Sequence, residues 1–287
     1  MPNLELTEKK ELSSFRRAAL GTWSTVGDPS VYGTIELRME PALAYLEAYR
    51  TATGKRLTVT HLVAKAVAAA LARMPDANAI LRRHRIYLRK RIAVFMQVLM
   101  SDEGEQKIDL SGVTIQDVNE KTLGQLIDEV EERVRKVRAR QDPELEKARS
   151  ALRFIPYALL HPFFRLMGFL LYTLNLDLRW AGLPKDGFGS VMITNIGSLG
   201  LDQAYVPLVP YSRVPLLVAM GAIHDAPVVE EGAVTAGKVM KLNATFDHRL
   251  LDGMHAAIMV RTLREFFERP FERFDPLPSA ELARSVP

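Results

Sequence analysis

Phe246-Asp247-His248-Arg249-Leu250-Leu251-Asp252-Gly253 sets one imidazole between two carboxylates and ends on a glycine. Histidine takes and returns a proton near neutral pH, so His248 is a candidate general base wherever a substrate can reach it. Acyl transfer from a thioester asks for such a base at the attacking thiol or hydroxyl, and for a donor to the oxyanion of the tetrahedral intermediate. The competing reading of His248 is that it satisfies local backbone groups. Asp252 follows it by one helical turn, and aspartate is also a preferred helix cap. Gly253 reads as a tight passage from strand to helix. Asp247 reads as a solvated neighbour.

Two elements must hold this octet. Val239, Leu242 and Phe246 are apolar positions of a strand over Gly237 to Phe246, and Ala256, Val260, Leu263 and Phe267 recur at helical spacing after Met254. The histidine therefore sits on the rim between them. Elsewhere, residues 41 to 53 predict a helix, with Pro41 in its first turn and Gly54 past its end. Residues 60 to 74 predict a second, with Leu62, Val63, Ala66, Val67, Ala70 and Leu71 as its buried stripe. Thr122 to Arg140 is a third, and Asp142-Pro143 opens another. Arg85 to Met100 reads as one or two strands, and Val191 to Ile193, Leu216 to Ile223 and Val239 to Phe246 as further ones. The fold class expected is α+β, a two-layer arrangement with helices covering a mixed sheet. A single domain over 1–274 is expected, followed by a tail over 275–287.

Composition narrows the chemistry. The chain has no cysteine, which removes disulfides, thiolate metal sites and a cysteine nucleophile. His248, Asp252 and His255 lack a third metal ligand at recognisable spacing, so no metal is expected. Gly187-Phe188-Gly189 lacks the glycine and lysine of a phosphate loop. The net charge of +4 draws on Arg82-Arg83-His84-Arg85 and Arg89-Lys90-Arg91, which read as a solvated face. No aromatic residues are interleaved for base stacking, so no nucleic acid is expected. The N-terminus lacks a basic-then-apolar signal, so a cytoplasmic location is the expectation.

The octet does not stand alone. Phe15-Arg16-Arg17 precedes Asp28-Pro29-Ser30-Val31-Tyr32; Leu57 to Asn78 closes on Pro75-Asp76-Ala77-Asn78; and Ser190 to Gly197 contains Thr194-Asn195-Ile196-Gly197. Together they resemble the catalytic domain of the dihydrolipoyl acyltransferases of 2-oxo acid dehydrogenase complexes, whose fold chloramphenicol acetyltransferase shares. That resemblance implies His248 as base, its ring held by a hydrogen bond to its own backbone. It implies Thr194 as oxyanion donor, where many relatives carry serine; without it, Thr194 closes a turn with Asn195 and Gly197. Asp252 would pair with Arg16 or Arg17 in a supporting role. Coenzyme A or a dihydrolipoyl or pantetheine thiol would be the substrate, and homotrimers would carry their active sites between subunits.

Three features depart from the resemblance. The chain as written carries no lipoyl-bearing segment, so a lipoyl or acyl-carrier protein, or a partner acyltransferase, would act in trans. Ser101 to Lys121 replaces the family's apolar strand with Lys107-Ile108-Asp109-Leu110-Ser111-Gly112-Val113-Thr114-Ile115. An apolar stretch, 154–176 within an atypical insertion 150–185, is interrupted by Pro156, His161, Pro162 and Arg165. Crossing a bilayer would split one domain, which leaves oligomer packing, an acyl-chain channel or peripheral membrane contact. The alternative to an acyltransferase is a trimeric scaffold that kept the fold with little or no catalysis.

Overall fold

The computed structural model describes residues 3–10, 29–101, 108–141 and 155–278. Its centre is a six-stranded mixed sheet in the order β2-β9-β8-β7-β5-β6. The strands are β2 (Ser30–Arg38), β5 (Val94–Ser101), β6 (Ile108–Ile115), β7 (Val191–Asn195), β8 (Leu216–Glu230) and β9 (Ala233–Asp247). β7 runs parallel to both β5 and β8, while the pairs β2–β9, β8–β9 and β5–β6 are antiparallel. A smaller antiparallel sheet joins β1 (Leu6–Glu8), β4 (Arg85–Arg89) and β3 (Ala79–Arg82) in the order β1-β4-β3. The predicted strand region Arg85 to Met100 thus divides between two sheets.

Helices α1 (Glu40–Thr53), α2 (Val59–Arg73), α3 (Leu123–Arg138) and α5 (Gly253–Glu268) supply the second layer. Met240, Leu242 and Phe246 of β9 are buried in one cluster with Tyr45, Val63, Val67, Leu126, Leu263 and Phe267 from these helices. Period-2 burial on the strand meets the helical stripe, the expected way for two layers to bury one core. α1 ends on Gly54 at φ +69, whose N–H returns to the Arg50 carbonyl. Thr122 caps α3 by accepting from the Gln125 N–H, and Asp275 reaches back to accept from the Leu123 N–H at 2.5 Å.

The sheet's opposite face is covered in part by the loop after β7: Ala204, Val206 and Leu208 pack on Leu217, Ala219 and Ile196. The apolar stretch is a helix, α4 (Tyr157–Gly168), with Pro162 inside it, running into a wider turn over Phe169–Thr173. Leu171 and Tyr172 are buried with Leu4 and Ile80, which seats the stretch on the small sheet. α6 (Pro270–Arg273) closes the described chain. Arg16, Arg17 and the helix expected after Asp142 lie outside the described residues.

Candidate active site

The octet is a turn pinned at both ends. The Asp247 N–H donates to the Pro215 carbonyl and the His248 N–H to the Pro29 carbonyl at 2.8 Å, so β8 and the entry to β2 both hold the histidine's backbone. Asp247 is only 6 % exposed, not the solvated neighbour expected. Its carboxylate accepts from the Arg249 backbone N–H at 2.9 Å and from Arg249 Nη2 at 2.6 Å. A buried carboxylate is retained where such donors satisfy it, and here they fold the turn so that His248 stands between Asp247 and Arg249.

The His248 ring is oriented by its neighbour's backbone. Nδ1 lies 2.7 Å from the Leu251 carbonyl; the acceptor is three residues on, not the histidine's own backbone. A carbonyl only accepts, so Nδ1 carries the proton, and the neutral ring keeps its lone pair on Nε2. That is the tautomer a general base requires.

Asp252 caps α5. Its Oδ1 accepts from the Met254 and His255 backbone N–H groups at 3.0 and 3.2 Å. The same oxygen lies 2.6 Å from His255 Nδ1, and His255 Nε2 is 3.7 Å from Asp76 Oδ2. His255 is thus a capping partner, and among the described residues no group of three His, Cys, Asp or Glu could hold a metal. Gly253 differs from expectation: a Cβ there would meet nothing within 4 Å and its φ is not left-handed. Nothing in this chain's backbone demands glycine at that position, because the capping aspartate already makes the turn.

Thr194 is the penultimate residue of β7, on a different part of the sheet. It lies opposite Ala219, which lies opposite Asn243, which lies opposite Thr34. Directly opposed residues share a face, so the four form one rung on the side away from the main core. Behind it runs a polar string: Thr34 Oγ1 donates to Asn243 Oδ1 at 2.8 Å and lies 2.7 Å from Tyr205 Oη. Asn243 is buried among apolar residues of β9, and that lone amide in Leu242-Asn243-Ala244 was the available sequence signal for this string. Asn195 Oδ1 accepts from the Ser198 N–H at 3.1 Å and closes the turn. A Cβ on Gly197 would come within 2.6 Å of the Gly221 carbonyl, so the turn is held by direct backbone contact.

Thr194 and His248 do not meet within one chain. The register puts Thr194 three rungs and two strands from Phe246, about 10 Å along the strands and about 10 Å across them. Phe246 is therefore ~14 Å from Thr194, and His248 lies two residues further on. Arg213 feels the histidine turn through charge: burial lowers its guanidinium pKa most, Tyr172 opposes that, and the like charge of Arg249 adds to the lowering.

The comparisons with known proteins agree with this geometry. The fold superposes on that of the probable dihydrolipoamide acetyltransferase of Listeria monocytogenes over 96 % of this chain and 98 % of the other, with TM-score 0.63 at 16 % identity. Azotobacter vinelandii dihydrolipoamide acetyltransferase gives TM-score 0.63 at 20 % identity, over 93 % of this chain and 94 % of that one. Chloramphenicol acetyltransferase gives 0.51 at 13 % identity, covering 92 % of this chain and 100 % of the other. These share the fold. In sequence, the dihydrolipoyllysine-residue acetyltransferase component of the Bacillus subtilis acetoin cleaving system is 22 % identical over 257 residues, 90 % of this chain. This chain spans about half of that relative's length, 51 %. The lipoamide acyltransferase component of the Pseudomonas putida branched-chain alpha-keto acid dehydrogenase complex is 33 % identical over 81 residues, 28 % of this chain and 19 % of that one. The family model for the 2-oxoacid dehydrogenases acyltransferase catalytic domain matches residues 6–146 and 186–274. With most of its length matched by that family and its fold shared with those cores, the chain belongs to the 2-oxoacid dehydrogenase acyltransferase catalytic-domain family.

Proposed function

We propose that this protein transfers an acyl group between thiols, with a thioester of coenzyme A or of a dihydrolipoyl or pantetheine arm on one side. The observation that carries this reading is the His248 ring, fixed by the Leu251 carbonyl in the tautomer whose Nε2 accepts a proton. The attacking thiol gives its proton to Nε2 and the thiolate sulfur bonds the thioester carbonyl carbon. The carbonyl electrons move onto oxygen, where the Thr194 hydroxyl donates to the oxyanion. Collapse breaks the original carbon–sulfur bond, and the imidazolium returns the proton to the departing thiolate.

The separation of Thr194 from His248 in one chain supports a site completed by a second copy, in a closed trimer where each histidine meets its neighbour's threonine. The Azotobacter study concerned a serine, a histidine and an asparagine four residues after it. His248 and Asp252 have the same spacing, and Thr194 offers the hydroxyl. Asp252 supports the site by capping α5, with Arg16 or Arg17 as its further partner. Substrate arms delivered in trans by a lipoyl or acyl-carrier protein fit this arrangement.

The test is acyl transfer from acetyl- and branched acyl-coenzyme A to dihydrolipoamide, read as the S-acyl-dihydrolipoamide formed, separated by chromatography. His248→Ala should lower the rate by about 10²–10⁴-fold, the usual worth of a general base. Full activity in that variant would overturn the proposal. No activity in the wild-type chain with any donor, despite an intact trimer, would instead favour the scaffold.

A further inference from the structure

The family match stops at residue 146 and resumes at 186, so α4 and the turn after it lie outside the residues that the family model matches. One side of that segment is firmly seated. Leu171 and Tyr172 are buried against Leu4 and Ile80. Asn175 exchanges hydrogen bonds with Leu4 at 2.5 and 2.7 Å. Phe164 meets the Tyr211 ring edge-on at 5.1 Å.

The other side is apolar and open. Leu159 is 55 % exposed, Leu166 53 % and Phe169 48 %, and Trp180, in the short turn Arg179–Ala181 further on, is 83 % exposed. Leu159, Leu166 and Phe169 recur seven and three residues apart, which stacks them along one face of a helix and its continuation. His161, Pro162 and Arg165 are exposed as well, so the helix presents a ridge to its surroundings. Soluble chains rarely leave a contiguous apolar patch of this kind without a use.

A cationic tip adjoins the ridge. β3 and β4 pair Arg82 with Arg85, so their hairpin turns on Arg83 and His84, at φ 49° and 60°. Two successive left-handed residues normally call for Asn-Gly, and side chains there cost strain that the fold retains. Arg82 Nε donates to the Thr173 carbonyl at 2.9 Å, tying the tip to the end of the ridge. Arg83 and Arg85 are exposed, as is Arg165 on α4. Against them stand Glu8, 2.8 Å from Arg85, and Asp177, already bonded to Arg179.

We propose that the ridge and the basic hairpin tip together form a docking surface for an anionic phospholipid bilayer. Exposed leucine, phenylalanine and tryptophan enter the headgroup boundary while the arginines meet lipid phosphate, the two-signal arrangement that gives stable peripheral attachment. A convex apolar ridge suits a fluid surface that closes around it, whereas a protein partner would have to supply a matching groove. Among the described residues no helix is long and apolar enough to cross a membrane, and attachment at the headgroup boundary does not need one.

The experiment is flotation of the full chain with vesicles of phosphatidylcholine alone or with one-third phosphatidylglycerol. Binding is expected to the anionic vesicles, to weaken at 0.5 M salt, and to fall at least tenfold in Leu166→Glu/Phe169→Glu. Tryptophan emission should move to the blue on binding, a shift lost in Trp180→Phe. Arg83→Ser/Arg165→Ser leaves the apolar ridge untouched and should lower binding severalfold at low salt, which decides the matter if the glutamates unsettle the fold. Absence of flotation, or flotation equal in all variants, would overturn the proposal. So would a fall in native mass of the glutamate variant without lipid, because the ridge would then be an interface between copies.

Discussion

Thr194 and His248 divide the proposed chemistry, and their side chains predict different kinetic losses. Removing an oxyanion donor acts on the transition state alone, so Thr194→Ala should lower kcat by about 10²–10³-fold with KM little changed. Thr194→Ser restores the hydroxyl without the methyl and should recover most of the rate; steady-state kinetics of the two variants checks both statements. His248 was legible because its octet is contiguous and the chemistry of imidazole is specific. The role of Asp247 was not. Its burial depends on the Pro215 carbonyl and on Arg249 folding back, and neither follows from the local pattern. Gly253 misled because glycine beside a strand-to-helix junction suggests a left-handed turn. Here the Asp252 cap makes the junction with ordinary backbone.

At the scale of elements, α2 carries a titration of its own. His61 stands three residues after the N-cap Thr58, and its Nδ1 accepts the Thr58 N–H at 3.2 Å, which needs a neutral ring. Burial lowers its pKa from 6.5 to about 4. Between those values the unfolded chain binds a proton that the folded chain does not, so stability falls as pH drops from 6.5 toward 4 and is unaffected above. The loss by pH 4 is about 3 kcal/mol, at ~1.4 kcal/mol per pKa unit. His61→Gln keeps an acceptor for the cap and should flatten the decline, read as urea midpoints across pH. Helices α1, α2, α3 and α5 were legible from periodicity. What escaped was the outer half of the β8–β9 hairpin, where residues 229–236 are exposed on both faces and have no apolar alternation to announce a strand. Of the small sheet, β4 was expected but β1 and β3 were not, because they are only three and four residues long and β1 comes from the N-terminal segment.

At the scale of the whole molecule, a site shared between subunits makes a prediction that a self-contained site does not. His248→Ala and Thr194→Ala chains should each be nearly inactive as homotrimers. When the two are unfolded and refolded together, every mixed trimer contains one junction with an intact histidine facing an intact threonine. An equal mixture should regain about one-quarter of wild-type activity, since about three-quarters of its trimers are mixed and each holds one intact site of three. Activity of the mixture equal to the sum of its parts would place both groups in one chain. The proposal of a shared site was available from the sequence only through family resemblance. The register lends it separate support, because it sets Thr194 and the histidine turn on different parts of the sheet.

The hydrogen-bonded exchange between Asn175 and Leu4 has a bearing on how this protein can be taken apart. The segment 155–183 supplies the polar partners and the apolar seat for the residues that lead into β1, so it behaves as a structural joint and not as a detachable loop. A chimera that grafts residues 155–183 onto a relative should melt cooperatively only if residues 3–8 travel with it, as thermal unfolding would show. The two pieces are one module written in two places.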